Sequence, residues 1–171
     1  MRRLVVLQGE HKVADRPGVI ITTLLGSCVA VCLRDSIARV GGMNHFLLAE
    51  PGNAAIVDPA DLQRYGIHAM ELLINALMNI GAARSRLRAQ VYGGANVVPG
   101  LGRIGSSNAL FARRFLETEG ISISHCDIGG TSGRRLDFLP YEGKARCRAV
   151  DEPVALSSVR PDAGGGDIEI F

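Results

Sequence analysis

Short apolar runs separated by turn residues occupy much of the chain. They are rich in aliphatic and β-branched residues and are bounded by Gly, Pro or Asp, a pattern typical of strands. The runs predicted as strands are Leu4–Leu7, Val19–Leu25, Val29–Leu33, Val40–Leu48, Leu87–Tyr92, Ile121–Cys126, Leu136–Leu139 and Ala145–Val150. The first four follow one another with no helical pattern between them.

Two other segments carry apolar residues at helical spacing. Tyr65–Ile80 repeats them every three or four positions and is followed by a glycine, a common helix end. The second helix is predicted from about Asn108 to Glu119, with Ser106 or Ser107 as its N-cap. Successive strands followed by later helices favour an α+β layered fold over a regular βαβ winding.

Length and composition indicate one cytoplasmic domain. The 171 residues fit a single domain over residues 1–150, and the Pro, Ser and Gly content of 151–171 predicts a flexible C-terminal tail. The apolar run Leu4–Leu7 is too short for a signal peptide or a membrane helix, so membrane insertion is not expected. The 19 basic and 17 acidic side chains nearly balance, which gives no indication of nucleic-acid binding.

A Gly-Ser-Cys sequence stands between two of the predicted strands. Gly26 permits a sharp bend that would project the thiol of Cys28 outward. Amides at such a bend can point at one spot, as an oxyanion intermediate requires, and those of Ser27 and Cys28 are the candidates. Cys28 is therefore a candidate nucleophile.

A thiol nucleophile needs a base, and the sequence favours one of its four histidines. His11 is expected in a polar loop, His68 in the first helix and His125 in an apolar strand. His45 lies on the strand that follows the cysteine segment after the short polar link 34–39. A hairpin there would make the two strands antiparallel neighbours and bring His45 near the cysteine.

The remaining residue types leave alternatives open. A hydroxyl from Thr22 or Thr23 would orient the imidazole, and the residues alone do not choose between them. Buried free cysteines and core histidines are also common, so a purely structural role is the competing interpretation for Cys28 and His45. The other cysteines, predicted as core residues, are Cys32, Cys126 and Cys147.

A glycine-rich segment suggests a rival function. Gly100–Gly105 matches the dinucleotide-binding fingerprint, a helix follows, and Asp127 stands at a suitable distance. However, Gly93–Asn96 break the preceding strand, and Pro99 directly precedes the first glycine. Too few residues follow for the second half of a dinucleotide fold, so nucleotide binding is the weaker alternative.

The sequence TTLLGSCVAVCLRD at 22–35, followed by GGMNHF at 41–46, resembles the CheD family of chemoreceptor glutamine deamidases. Matches at GGAN 93–96, DIGG 127–130 and the terminal GDIEIF 166–171 extend the resemblance over nearly the whole chain. One departure is the serine before Asn108, where the family often carries arginine.

The resemblance implies a cysteine hydrolase, a protein-glutamine glutaminase that needs no metal or organic cofactor. Cys28 would be the nucleophile, His45 the general base and acid, and Thr22 the orienting residue, with Gly26 and Ser27 as backbone support for the oxyanion. The implied substrates are glutamines of methyl-accepting chemotaxis receptors, converted to glutamate through a thioester. Hydrolysis of glutamate methyl esters is an expected side activity.

The resemblance also bears on fold and partners. It implies a layered sandwich of mixed β-sheets with helices outside, similar to the catalytic domain of the cytotoxic necrotising factor toxins. It implies docking to a CheC-type phosphatase as well. A non-catalytic chemotaxis protein that only docks to such a phosphatase is the main alternative function.

Overall fold

Two mixed sheets and two α-helices make up the computed structural model, which describes residues 1–48, 58–97 and 103–150. The elements are β1 (Arg2–Val5), β2 (His11–Ala14), β3 (Val19–Leu25), β4 (Val29–Asp35), β5 (Val40–Asn44), α1 (Pro59–Asn79), a short 3-10 helix (Arg84–Arg86), β6 (Leu87–Gly93), α2 (Ile104–Thr118), β7 (Ser122–Ile128), β8 (Gly133–Leu139) and β9 (Lys144–Val150). The α+β class predicted from the sequence is confirmed.

The strands divide into a four-stranded sheet of order β1-β3-β8-β9 and a five-stranded sheet of order β2-β5-β4-β6-β7. The β1–β3 and β6–β7 pairs are parallel, and the other neighbours pair antiparallel. The consecutive strands β3 and β4 therefore belong to different sheets. The chain crosses between the sheets at residues 26–28, where the Gly-Ser-Cys sequence lies.

Two hydrophobic cores define three layers. Val29, Val31 and Leu33 of β4 pack with α1 and α2 in one core, whereas Ala30 and Cys32 of the same strand pack in the core between the two sheets. Because both faces of β4 are covered, the strand is a continuous apolar run rather than an alternating one. The layers are helices, five-stranded sheet and four-stranded sheet.

Helix α1 begins earlier than its apolar periodicity indicates. Asp58 is the N-cap, and its carboxylate accepts a hydrogen bond from the amide of Ala60 at 3.0 Å. Pro59 occupies the first turn, where a missing amide hydrogen has no cost. The helix therefore starts before Tyr65, the predicted first residue.

Helix α2 also starts earlier than predicted, and its capping residue differs from the expected one. Arg103 is the N-cap, and the amide of Ser107 donates to the Arg103 carbonyl at 2.9 Å. Ser106 and Ser107 therefore lie inside the first turn, and their prediction as caps was wrong. The helix ends at Thr118, close to the predicted Glu119.

Two further expectations fail at sheet edges. His11 is the first residue of β2, paired with Asn44, and does not lie in a loop. Cys126 is exposed on the edge strand β7, whereas Cys32 is buried and Cys147 half-buried. Because β7 is the last strand of its sheet, it has a neighbouring strand on one side only, and the side chain of Cys126 stays exposed there.

The tail predicted at 151–171 lies outside the described residues. Within the described ranges, no helix is both long and apolar enough to cross a bilayer.

Candidate active site

The Gly-Ser-Cys turn is held from one side through its carbonyl groups. The Gly26 carbonyl accepts from the Ala95 amide at 3.1 Å, the Ser27 carbonyl from Asn108 Nδ2 at 2.8 Å, and the Cys28 carbonyl from the Gly94 amide at 2.8 Å. In a planar trans peptide the C=O and the following N–H point in opposite directions. The amides of Ser27 and Cys28 therefore point away from β6 and α2.

Glycines allow these backbones to stack closely. A Cβ atom on Gly93 would lie 2.3 Å from the Cys28 carbonyl oxygen, and Gly93 has a φ of 106°. A Cβ atom on Gly105 would lie 2.3 Å from the Ala95 carbonyl oxygen and 2.5 Å from that of Gly94. Any larger residue at these positions would push the Gly94 and Ala95 amides, or α2 with its Asn108, away from the cysteine turn.

The β4–β5 hairpin places Cys28 and His45 on the same face of the sheet. The strands pair in one antiparallel register from Asp35–Val40 to Cys32–Met43, and a further bridge joins Val29 to Phe46. This register sets His45, directly after β5, opposite Ala30, and Cys28 lies two residues before Ala30, just ahead of β4. Such diagonal neighbours have Cα atoms roughly 7–8 Å apart, within reach of long side chains. Both residues face the core between the sheets.

The ring of His45 is buried and is fixed through its Nδ1 atom. Nδ1 lies 2.8 Å from Thr23 Oγ1, and this hydroxyl donates to the Val6 carbonyl at 2.7 Å. A hydroxyl has one hydrogen, so Thr23 must accept from Nδ1–H. Nε2 then carries the lone pair, and it is buried without a hydrogen-bond partner among the described residues.

Burial lowers the pKa of His45 from 6.5 to about 4, although the Val6 carbonyl and the charge of Glu10 act in the opposite direction. At neutral pH the imidazole is therefore uncharged and able to accept a proton at Nε2.

The two threonines of β3 face opposite sides of the four-stranded sheet. Thr23 contacts the imidazole, whereas the Thr22 hydroxyl donates to Asp137 Oδ1 at 2.7 Å. Because side chains alternate along a strand, the same sheet cannot present both hydroxyls to His45. The contact that the family resemblance favoured for Thr22 is made by Thr23 instead.

Asn108 joins the segments that carry the nucleophile and the base. It is fully buried; its Nδ2 donates to the Ser27 carbonyl at 2.8 Å, and its Oδ1 accepts from the Leu48 amide at 3.0 Å. The sequence contained a signal for this role, because a polar residue on the apolar face of an amphipathic helix needs buried partners.

Gln8 and Tyr65 border Cys28 on the solvent side. The thiol of Cys28, a residue only 7% exposed, donates to Gln8 Oε1 at 3.8 Å, and Gln8 itself is exposed. Burial and the nearby Cys28 both raise the pKa of Tyr65. Neither residue was predicted, since nothing in the sequence places the β1–β2 turn or α1 beside the cysteine.

Comparison with known proteins identifies the family. A family model described as CheD chemotactic sensory transduction matches residues 47–149. A Zymomonas mobilis protein named "Probable chemoreceptor glutamine deamidase CheD" is 53% identical over 172 residues, covering 99% of this chain and 93% of the relative. The chain belongs to the CheD family.

A second relative and a solved structure are also similar to this chain. An Agrobacterium fabrum protein of the same name is 50% identical over 178 residues, covering 99% of this chain and 97% of the relative. Among solved structures, a Neisseria meningitidis protein of the DUF152 family is 10% identical, with a TM-score of 0.48 over 77% of this chain and 64% of that one. The membership predicted from the Gly-Ser-Cys and Asn-His motifs is confirmed.

Proposed function

We propose that this CheD family member is a protein-glutamine deamidase that acts in the cytoplasm on methyl-accepting chemotaxis receptors. Its relatives are named chemoreceptor glutamine deamidases. The observation that carries the proposal is the Nε2 lone pair of a buried, neutral His45, fixed by Thr23 on the face of the sheet that Cys28 shares.

In the first step, His45 Nε2 takes the thiol proton as Cys28 Sγ attacks the carbonyl carbon of the substrate carboxamide. The oxyanion forms on the side to which the Ser27 and Cys28 amides point, and these amides donate to it. Gly26 supports this arrangement through its carbonyl, which accepts from the Ala95 amide and so keeps the Ser27 amide pointing to the opposite side. His45 then returns its proton to the nitrogen, the C–N bond breaks, and ammonia leaves a thioester on Cys28.

In the second step, water hydrolyses the thioester. His45 Nε2 removes a proton from the water, whose oxygen attacks the thioester carbon through a second oxyanion. The C–S bond breaks and the proton returns to sulfur, which leaves glutamate and the free thiol. Thr23 is the positioning residue in both steps, because its bond to Nδ1 keeps the lone pair on Nε2.

Intact-mass measurement of a receptor cytoplasmic fragment tests this proposal. The native protein is expected to raise the mass by about 1 Da for each glutamine converted, because NH₂ is replaced by OH. Cys28→Ala and His45→Gln are expected to abolish the rise. The matched control is Cys126→Ala, since this cysteine is exposed on β7 and should leave the rate unchanged.

The proposal fails if the native protein produces no mass change, or if Cys28→Ala leaves the rise intact. A gel of the same fragment separates deamidation from backbone cleavage by a thiol protease.

One glycine of the alternative nucleotide-binding fingerprint has a packing explanation. Gly105, the last glycine of the fingerprint, packs against backbone oxygens of Gly94 and Ala95, which accounts for the missing side chain. Gly100 and Gly102 lie outside the described residues. CheC-type docking and likeness to the necrotising-factor toxins stay predictions.

A further inference from the structure

Gln8 is carried on a turn that is tied to the backbone of the proposed base. The Gly9 amide donates to the His45 carbonyl at 2.8 Å, and the His45 amide donates to the Glu10 carbonyl at 3.1 Å. The Glu10 carboxylate also accepts from the Leu7 amide at 2.9 Å, which closes the turn. Gln8, between these anchored residues, therefore has a defined position relative to His45.

The side chain of Gln8 presents an acceptor oxygen to the nucleophile. Oε1 lies 3.8 Å from Cys28 Sγ and accepts the thiol hydrogen. That hydrogen moves to His45 when the thiol attacks, so Gln8 loses this donor at the start of the reaction. Once the bound substrate displaces water from this position, an acceptor oxygen that has lost its donor is unfavourable unless a new donor arrives.

We propose that Gln8 selects carboxamides over methyl esters by accepting an N–H from the substrate's side-chain nitrogen. The inference rests on the proposed deamidase function and names its substrate preference. A carboxamide brings two N–H donors beside the atom that sulfur attacks, so one of them replaces the departed thiol hydrogen. A glutamate methyl ester brings none and leaves Oε1 without a donor.

The product glutamate cannot make the hydrogen bond that the substrate makes with Gln8. Glutamate presents a carboxylate, which is an acceptor only, and its oxygens would face the Oε1 lone pairs. With Gln8 in the orientation that accepts the Cys28 thiol hydrogen, its Oε1 therefore makes no hydrogen bond with the product. A site that hydrogen-bonds a substrate N–H rejects an analogue that lacks it more strongly than a purely apolar pocket does.

The test compares glutamine deamidation with hydrolysis of a glutamate methyl ester at the same position of a receptor fragment. Gln8→Met keeps the length of the side chain and removes the strong acceptor. We expect kcat/KM for glutamine to fall about 3- to 10-fold, the worth of one neutral hydrogen bond, while kcat/KM for the ester stays unchanged. Gln8→Glu, which retains an acceptor oxygen, should keep the preference.

A measurement without turnover uses alkylation of Cys28 by iodoacetamide and by methyl iodoacetate. The first reagent carries a carboxamide and the second a methyl ester, so Gln8→Met should lower their rate ratio in the same direction. The matched control is Gln63→Met, because Gln63 is an exposed glutamine on α1. It should change neither ratio.

The outcomes separate this inference from the proposed function. A native protein without deamidase activity, or full activity in Cys28→Ala, would refute the deamidase itself. An active native protein whose two rates fall by one common factor in Gln8→Met, or do not change at all, would overturn only the role of Gln8.

Discussion

Thr22 and Thr23 are adjacent residues with the same side chain, yet their hydroxyls bind different groups. Thr23 bridges His45 Nδ1 and the Val6 carbonyl, whereas Thr22 bonds Asp137 on the other face of the sheet. The difference is geometric, since one step along a strand reverses the direction of the side chain. Removing one hydroxyl at a time therefore tests whether the bond to His45, and not a threonine hydroxyl in general, matters for activity.

Thr23→Val should lower kcat for deamidation roughly 10-fold or more, because the buried Nδ1–H loses its acceptor and the imidazole loses its fixed orientation. Thr22→Val should change kcat by no more than about 3-fold, since it removes a bond remote from the ring. Steady-state kinetics with a receptor fragment measure both effects.

Rescue by Thr23→Ser distinguishes orientation from packing. Serine restores the acceptor oxygen without the methyl group, so kcat should recover toward the native value. An equal loss in Thr22→Val and Thr23→Val would contradict the assignment of Thr23 as the positioning residue.

At the scale of elements, α2 acts as the brace of the site. Its Asn108 bonds both to the turn that carries Cys28 and to the segment that follows His45. Its Gly105 lets the first turn rest on Gly94 and Ala95, directly after β6, and the Gly94 amide holds the Cys28 carbonyl. The helix thus fixes the cysteine turn without contributing a reacting atom.

Asn108→Leu should lower the free energy of unfolding by about 2 kcal/mol, because it leaves the buried Ser27 carbonyl and Leu48 amide without partners. For a protein of this size that corresponds to a fall in Tm of roughly 4–8 °C, measurable by thermal denaturation. The control is Asn75→Leu, an exposed asparagine on α1, for which we expect a change of at most about 2 °C. Equal falls in Tm in the two variants would contradict the stabilising role assigned to Asn108.

Several elements were predictable because their physical signal is local. The apolar runs of β3, β4 and β6 and the helical period of α1 were identified directly. Strand β2, with the sequence His11-Lys12-Val13-Ala14, was missed because an edge strand with one buried residue carries no apolar run.

Site details required tertiary information. Val19–Leu25 is apolar on both sides of the threonines, so its alternation does not reveal which face meets the second sheet. That face decides between Thr22 and Thr23. Gln8 lies at the site because β1 pairs with β3 and β2 pairs with β5. Both pairings link segments that no local sequence pattern connects, so Gln8 could not be predicted.

At the scale of the whole molecule, two buried groups couple folding to pH. Burial alone would raise the pKa of Asp35, but hydrogen bonds from Arg86 and from the amides of Ala83, Ala38 and Ile37 hold that pKa well below 3.8. These bonds join the β4–β5 turn to the segment after α1. Asp35 therefore stabilises the fold above pH 3.8, and this contribution is lost in stronger acid.

His45 adds an earlier stage of acid destabilisation. Its pKa is lowered from 6.5 to about 4 in the folded protein, so the unfolded chain binds a proton first as the pH falls. The native state is then penalised progressively between these two values, by a total on the order of 3 kcal/mol. The stability of the native protein should fall from about pH 6.5 downward, with a further loss from Asp35 below pH 4.

Urea unfolding at a series of pH values measures these stages. His45→Gln should remove the slope between pH 6.5 and 4 while keeping the loss below pH 4, because it deletes only the first titrating group. His68→Gln, at an exposed position on α1, should leave the native slope unchanged. If His45→Gln retained the full slope, the pKa of His45 would be the same in the folded and unfolded chains, and the effect of burial that the proposed mechanism relies on would be contradicted.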